Sequence, residues 1–329
     1  MARRVAAFAL LGVGIYIVGP GLVELLSEAP RLATVELTWL GAALAAQGLS
    51  LASFITLTRL SLGGERWPLV TLITLSGNAA GKILPAGLGG AVQVQMAVRA
   101  GVPTPRALTG FAAVSVVITA VPFALPLLSL PAIVGGLPVA RGLARAAIIG
   151  AVLFVTLAVV SAILLASNRP LEAVARGVQT VRNRLRPRHD PVLDMPERAI
   201  RERDLLIHTL GPRWWKGLLA AVARASFDYL SLVACLAAVG ARPSPALVLL
   251  AYVASVVLAL IPLTPGGVGF VEAGLVGTLG LAGVGQAEAV LATLAYRLVS
   301  YWLHLPIGGV AYAIYQRRYS RSRANTVPG

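Results

Sequence analysis

The sequence predicts an all-α polytopic membrane protein, with six full transmembrane helices and two broken, re-entrant helical hairpins in an inverted repeat. Three observations predict it. First, 57% of the 329 residues are hydrophobic and only 12% are charged, whereas soluble domains are near 45–50% apolar and about 25% charged. Mean hydropathy is +0.81, more apolar surface than a soluble core of this size can hide. Second, the apolar residues fall into runs of the length that crosses a bilayer. Third, two of those runs are interrupted by Pro-Gly text at matched places.

A spanning helix needs about 20 predominantly apolar residues. Six segments meet this: Val5–Leu26, Leu37–Leu60, Ala107–Leu130, Leu143–Ala166, Trp215–Val239 and Ala289–Tyr315. The first follows Met1-Ala2-Arg3-Arg4 and shows no small-x-small cleavage pattern, so it reads as a retained helix. Two further apolar regions are broken. Leu69–Leu84 runs into Pro85-Ala86-Gly87-Leu88-Gly89-Gly90 and continues to Ala100. Ala246–Ile261 runs into Pro262-Leu263-Thr264-Pro265-Gly266-Gly267-Val268-Gly269 and continues to Leu281. Pro removes a backbone donor, and Gly weakens a helix interior. In hydrocarbon every freed backbone group needs a partner, so such breaks survive only when buried in protein or lining a polar cavity. Two in matched positions point to re-entrant hairpins.

The net charge is +15, but its distribution excludes a nucleic-acid binder. The basic residues sit between apolar runs, where they encode membrane orientation. The polar insert, residues 167–214 with Lys216 just beyond, carries Arg169, Arg176, Arg182, Arg184, Arg186, Arg188, Arg198, Arg201, Arg203 and Arg213. The tail, residues 316–329, adds Arg317, Arg318, Arg321 and Arg323. Counting crossings with both hairpins re-entrant puts these clusters, Arg59, Arg66, Arg99, Arg106 and both termini on the cytoplasmic side of the plasma membrane. Residues 1–315 then form one membrane domain around a basic insert. The two hairpins enter from opposite faces, with a substrate site near the midplane where their tips meet. Short amphipathic helices of the insert lie on the inner leaflet, where each Arg contributes about 1 kcal/mol of attraction to anionic lipid.

The only cysteine, Cys235, lies inside an apolar run, so no internal disulfide forms. No lipidation motif, metal-ligand cluster, phosphate-binding loop or nucleophile elbow occurs, and no cofactor or catalytic residue is expected. The informative residues are the ionisable ones in apolar segments: Lys82, Arg224, Asp228, Glu272 and Arg297, with His304 a sixth. Such groups cost at least about 2.5–3.5 kcal/mol at the bilayer centre, face the bundle interior and mark function. Arg224 and Asp228 are four apart on one helix and can pair. Lys82 and Glu272, each beside a Pro-Gly break, can approach each other, while Arg297 has no local partner. Three cations against two anions call for one more anion at the site, a need that a lipid phosphate, a chloride or a water defect would each satisfy. Asn78, Gln93 and Gln95 add polar atoms around the first hairpin.

The motif Pro262-Leu-Thr-Pro-Gly-Gly-Val-Gly-Phe-Val-Glu272, with Ala289–Arg297 after it, resembles the C-terminal signature of the lysylphosphatidylglycerol synthase transmembrane region family. Asn78 and Lys82-Ile-Leu-Pro85-Ala-Gly-Leu-Gly-Gly90 are similar to that family's other signature. The resemblance runs from Val5 to Tyr315. It implies a flippase-like helical bundle that moves an anionic lipid or a polyprenyl-phosphate-linked glycolipid between leaflets. The alternatives are a non-transporting subunit that partners a lipid-modifying enzyme or glycosyltransferase, and a small-anion permease. On this reading Lys82, Arg224 and Arg297 hold the phosphate. Asp228 and Glu272 orient those cations or carry a coupling proton. The Pro85 and Pro265 loops, with Gly266 and Gly267, expose backbone donors. The family's cytosolic aminoacyl-transferase domain is not expected in this chain, so lysine transfer to lipid is not assigned to it. The sequence departs from the family where a Glu and an Arg usually follow the first loop: here the chain reads Gly90-Ala-Val-Gln-Val-Gln95. The next helix offers only Ser115 and Thr119 as polar groups between Phe111 and Val121.

Overall fold

A computed structural model describes residues 36–84, 88–125, 166–185, 194–210, 214–259 and 265–319, with scattered positions between 148 and 164. The expected helix Val5–Leu26, most of Leu143–Ala166, the Pro85 loop, residues 262–264 and the tail beyond Tyr319 lie outside these. The described residues are helical throughout, without a strand. In order they form α1 (Leu37–Ser61), α2 (Trp67–Ile83), α3 (Leu88–Arg99), α4 (Thr104–Ala124), α5 (Asn168–Leu185), α6 (Met195–Leu210), α7 (Trp214–Ala238), α8 (Pro245–Ala259), α9 (Phe270–Leu281), α10 (Gln286–Arg297) and α11 (His304–Tyr319). A 3-10 turn at Pro265–Gly267 precedes α9, and a π-turn at Leu298–Trp302 joins α10 to α11.

Three stretches are long and apolar enough to cross a membrane: Leu37–Ser61, Thr104–Pro122 and Trp215–Ala238. Their outward residues are large and apolar, among them Leu44, Leu49, Val116, Leu219 and Leu230. Contiguous apolar exposure of this kind is foreign to a soluble monomer and suits a lipid-facing surface. The expected last span differs from a single helix, because the π-turn divides it after Arg297.

The bundle is organised by the pairing of α1 with α7. Buried positions on α1 recur as Ala43, Gln47, Ser50, Phe54, Leu57 and Ser61, spaced four and three apart, which puts them on one stripe. Small residues on that stripe let the helices approach and bond across: Ser50 Oγ donates to Arg224 O at 2.9 Å, and Ser231 Oγ to Ala43 O at 3.1 Å. Helix contact in lipid rests on such packing and hydrogen bonding because lipid removes the hydrophobic drive.

Two antiparallel arm pairs flank this centre, α2 against α3 and α8 against α9. The first pair is closed by glycine: a Cβ on Gly89 would lie 2.5 Å from Gly81 Cα and 3.0 Å from Gly77 O. Helix α11 lies along α2, where a Cβ on Gly308 would meet Leu75 O at 2.7 Å. Tyr315 ties α11 to α3 by donating to Met96 O at 2.6 Å. The expected amphipathic helices of the insert are present as α5 and α6, packed on each other, with α6 against α4. On α5 the apolar Val174 and Val178 are half-exposed, and Glu172 pairs with Arg176 four residues on.

Candidate functional site

Five of the six ionisable residues of the apolar segments, Glu272 excepted, converge on one cavity of about 180 Å³ inside the bundle. Helix α1 supplies Gln47, Ser50 and Phe54, and α2 supplies Asn78 and Lys82. Arg224 and Asp228 come from α7, Ser255 from α8, Tyr296 and Arg297 from α10, Ser300 from the π-turn and His304 from α11. Residues more than 250 positions apart in sequence thus share one polar chamber between the two arm pairs.

The π-turn explains how α10 reaches Lys82. Its closing bond runs from Leu303 N–H to Leu298 O at 2.9 Å, five residues back. One extra residue in the ladder loosens the backbone, a device common at functional sites. The Ser300 carbonyl accepts a bond from Lys82 Nζ at 2.7 Å. Tyr301 OH donates in return to Lys82 O at 2.8 Å. The Tyr301 ring is flanked by two cations, Arg297 at 4.2 Å and Lys82 at 4.9 Å from its centroid, both within cation–π range.

Arg297, read from sequence as lacking a local partner, has one 25 residues earlier. Its Nε donates to Glu272 Oε1 at 2.6 Å, and a terminal nitrogen donates to Gly266 O at 3.3 Å. The other oxygen of Glu272 accepts the Gly269 N–H at 2.8 Å. Glu272 therefore occupies the third position of α9, reaching back to its capping residue. The Lys82–Glu272 approach gives way to this arrangement because the guanidinium forks onto carboxylate and carbonyl together, which a lysine ammonium cannot do with the same geometry. Gly266, Gly267 and Gly269 all have positive φ, at 65°, 70° and 82°. A Cβ on Gly266 would strike Tyr301 OH and sit 2.5 Å from Lys82 O. The Pro265 loop thus supplies carbonyl Gly266 O to Arg297, and the backbone donor at Gly269 goes to Glu272. Pro85 lies outside the described residues.

The expected Arg224–Asp228 pair is also replaced. Asp228 Oδ2 accepts two tyrosine hydroxyls, Tyr252 and Tyr296, each at 2.9 Å. The Arg224 guanidinium lies over the Phe54 ring at 4.4 Å. Among the described residues, the cavity's only ion pair is Arg297–Glu272. No carboxylate among the described residues lies within 4 Å of Lys82 or Arg224, and Asp228 is the carboxylate that lines the cavity with them.

Tyr252, Tyr296, Tyr301 and Ser300 carry much of this geometry, yet none stood out in the sequence. A tyrosine ring passes as apolar, and only its hydroxyl is polar. The one available signal was Tyr296-Arg297 with Tyr301 four residues after Arg297, a spacing that puts the second tyrosine on the arginine's face.

Comparison with known proteins agrees with the residues. A family model described as the lysylphosphatidylglycerol synthase TM region matches residues 5–308. A "UPF0104 membrane protein" of Methanothermobacter thermautotrophicus is 31% identical over 99 residues. That match covers 30% of this chain and 28% of the archaeal protein. A match from residue 5 to residue 308 takes in both arm pairs and the cavity between them, and the chain belongs to the lysylphosphatidylglycerol synthase TM region family.

Proposed function

We propose that this protein moves an anionic lipid, or a polyprenyl-phosphate-linked glycolipid, between the leaflets of the plasma membrane, acting as a transporter and not as an enzyme. The observation that carries this reading is the chamber in which, among the described residues, Lys82 and Arg224 have no carboxylate within 4 Å. A buried cation without a counter-charge is costly, so a phosphate entering the chamber brings the charge the protein omits. At about 180 Å³ the chamber is smaller than the 300–1,000 Å³ of a site for a drug-sized ligand. It suits a headgroup, with the acyl or prenyl tails left in lipid.

The arm lengths support re-entrant hairpins in an inverted arrangement. At 1.5 Å per residue, the 12 residues of α3 and of α9 extend about 18 Å, short of a hydrocarbon core of about 30 Å. Long helix, two short arms and a further helix occur in the same order from α1 to α4 and from α7 to α10. Two such units, with both termini cytoplasmic, allow alternating access by rocking one unit against the other. Arg297 and Glu272 hold the loop of the second hairpin at residues 265–269, and Asp228, held by Tyr252 and Tyr296, adds a carboxylate to the chamber wall.

Reconstitution into vesicles with a trace of tail-labelled fluorescent anionic lipid tests the reading. The wild-type protein is expected to carry the lipid to an impermeant quencher faster than protein-free vesicles do. Arg224→Gln should slow this roughly 30-fold or more, the cost of losing a buried charge contact. A wild-type rate equal to that of empty vesicles rejects transport. Stable co-purification with a glycosyltransferase or lipid-modifying enzyme would then support the subunit reading.

A further inference from the structure

Away from the chamber, α3 and α4 border a groove of about 560 Å³ lined by Ala91, Val94, Gln95, Val98, Arg99 and Leu108. Ala91, Gln95 and Arg99 are exposed and four residues apart, so they share one face of α3. Leu108 enters from α4 and is half-exposed. Gln95 and Arg99 are the polar members of the lining, and neither has a hydrogen bond or ion pair among the described residues. Neighbouring cations are already engaged. Arg59 donates to Glu65 O at 2.9 Å and lies over the Trp67 ring at 4.6 Å, and Arg106 pairs with Glu65 at 3.9 Å. Orientation by positive charge accounts for the presence of Arg99, but not for the groove beside it. Gln95 has no such account. Gln93, two residues before it, is buried against Gly77, whereas the Gln95 amide is turned outward, where hydrocarbon offers it nothing to bond.

We infer that this groove holds one resident anionic phospholipid, with its phosphate on Arg99, its glycerol ester on Gln95 and an acyl chain along Ala91, Val94, Val98 and Leu108. The site goes beyond the proposed transport, because none of its residues lines the chamber that Lys82 and Arg224 face. The order of groups along α3 is the order of groups in a phospholipid. At 1.5 Å per residue, Gln95 lies about 6 Å from Arg99 toward the start of α3, and Ala91 about 12 Å. In the lipid, ester carbonyls follow the phosphate across one glycerol, and methylenes follow the esters. The Arg99 guanidinium matches a phosphate as a planar fork. The Gln95 amide donates to an ester carbonyl. The remaining lining is apolar and suits a chain. A soluble anion would leave that apolar length uncovered, whereas a lipid supplies both parts. A zwitterionic lipid carries the same phosphate, but its ammonium offsets the charge beside Arg99. An occupant here braces α3 against α4, tying the first arm pair to the composition of the membrane.

Carbene labelling of the full-length protein in phosphatidylcholine vesicles tests the site. The probes, each present in trace, are phosphatidylmethanol with a diazirine midway along one acyl chain and phosphatidylcholine with the same chain. Peptides carrying Val94, Val98 and Leu108 should take roughly fivefold more label from the anionic probe, the equivalent of one Arg at an anionic surface. Exposed Val116 and Leu219 should take label equally from both. Arg99→Gln should remove the preference of the groove. Gln95→Leu should lower groove labelling by both probes roughly threefold and keep the preference, because the ester is common to both. Arg224→Gln should leave groove labelling unchanged, whether or not the chamber takes an anion. Equal labelling of the groove by the two probes overturns the site, as does a preference that survives in folded Arg99→Gln or is lost in Arg224→Gln. Undiminished labelling in Gln95→Leu overturns the ester contact. Groove peptides left unlabelled by both probes, with Val116 and Leu219 labelled, reveal a protein cover and overturn the lipid.

Discussion

At the scale of single residues, the site is governed by which partner takes each buried charge. Asp228 illustrates the rule. A helix offers it Arg224 four positions away, yet two tyrosine hydroxyls from α8 and α10 bond the same oxygen. The result is a carboxylate held in place while Arg224 stays turned to the cavity. Hydrogen bonds to a charged group are worth about 1.5–3 kcal/mol. Tyr252→Phe and Tyr296→Phe are each expected to lower stability by roughly that amount. Because both bond one atom, their effects should not add, and a double-mutant cycle on thermal unfolding would measure the coupling. Additive losses would show that the hydroxyls act independently of Asp228. None of this was legible beforehand. The sequence marks Asp228 as out of place in an apolar run, but Tyr252 and Tyr296 are 24 and 68 residues away and read as ordinary apolar-segment residues.

At the scale of elements, breaks in helices do the positioning. The 3-10 turn at Pro265–Gly267 ends one arm and aims Gly266 O at Arg297, while Glu272 caps the next arm from within. Gly266 is required twice over, by its φ of 65° and by the Tyr301 and Lys82 atoms against it. An L-residue in the left-handed region costs roughly 1–2 kcal/mol before any clash is counted. Gly266→Ala is therefore expected to lose at least that much stability and to loosen the Lys82–Tyr301 contact. A lower unfolding temperature together with slower transfer of the labelled anionic lipid would record it, and wild-type values for both would refute the dual constraint. Such breaks are partly readable. Pro and Gly announce that an arm ends, since few other residues tolerate those angles. Which carbonyl then serves which side chain depends on a helix from another part of the chain.

For the whole molecule, apolar composition carries most of the prediction. Helices α1 and α7 begin and end within a residue or two of where hydropathy places them, because a run of about 24 apolar residues has few other options in lipid. The final span was harder to read: hydropathy is continuous across Ala289–Tyr315, and nothing in it reveals a π-turn whose purpose lies in contacts with α2. Orientation follows from the basic segments and is open to direct test. Cys235 is buried, so a Cys235→Ala background permits labelling of introduced cysteines at exposed arm ends. Under the inverted arrangement, Arg66→Cys and Thr104→Cys should react only from the cytoplasmic face, and Arg242→Cys and Gln286→Cys only from the opposite face. Labelling of all four from one side, or of one pair from both, would rule it out.

The π-turn also sets a phase. One residue more than an α-helix needs turns everything downstream back by about 100°. Upstream of it, Tyr296 and Arg297 present their side chains to the chamber; downstream, Gly308 and Tyr315 meet α2 and α3. A uniform helix would align one of these faces and rotate the other toward lipid. Gain of a single residue between 298 and 302 would leave composition and hydropathy almost untouched, yet swing Gly308 off Leu75 and Tyr315 off Met96. In this stretch the number of residues is under tighter constraint than their polarity.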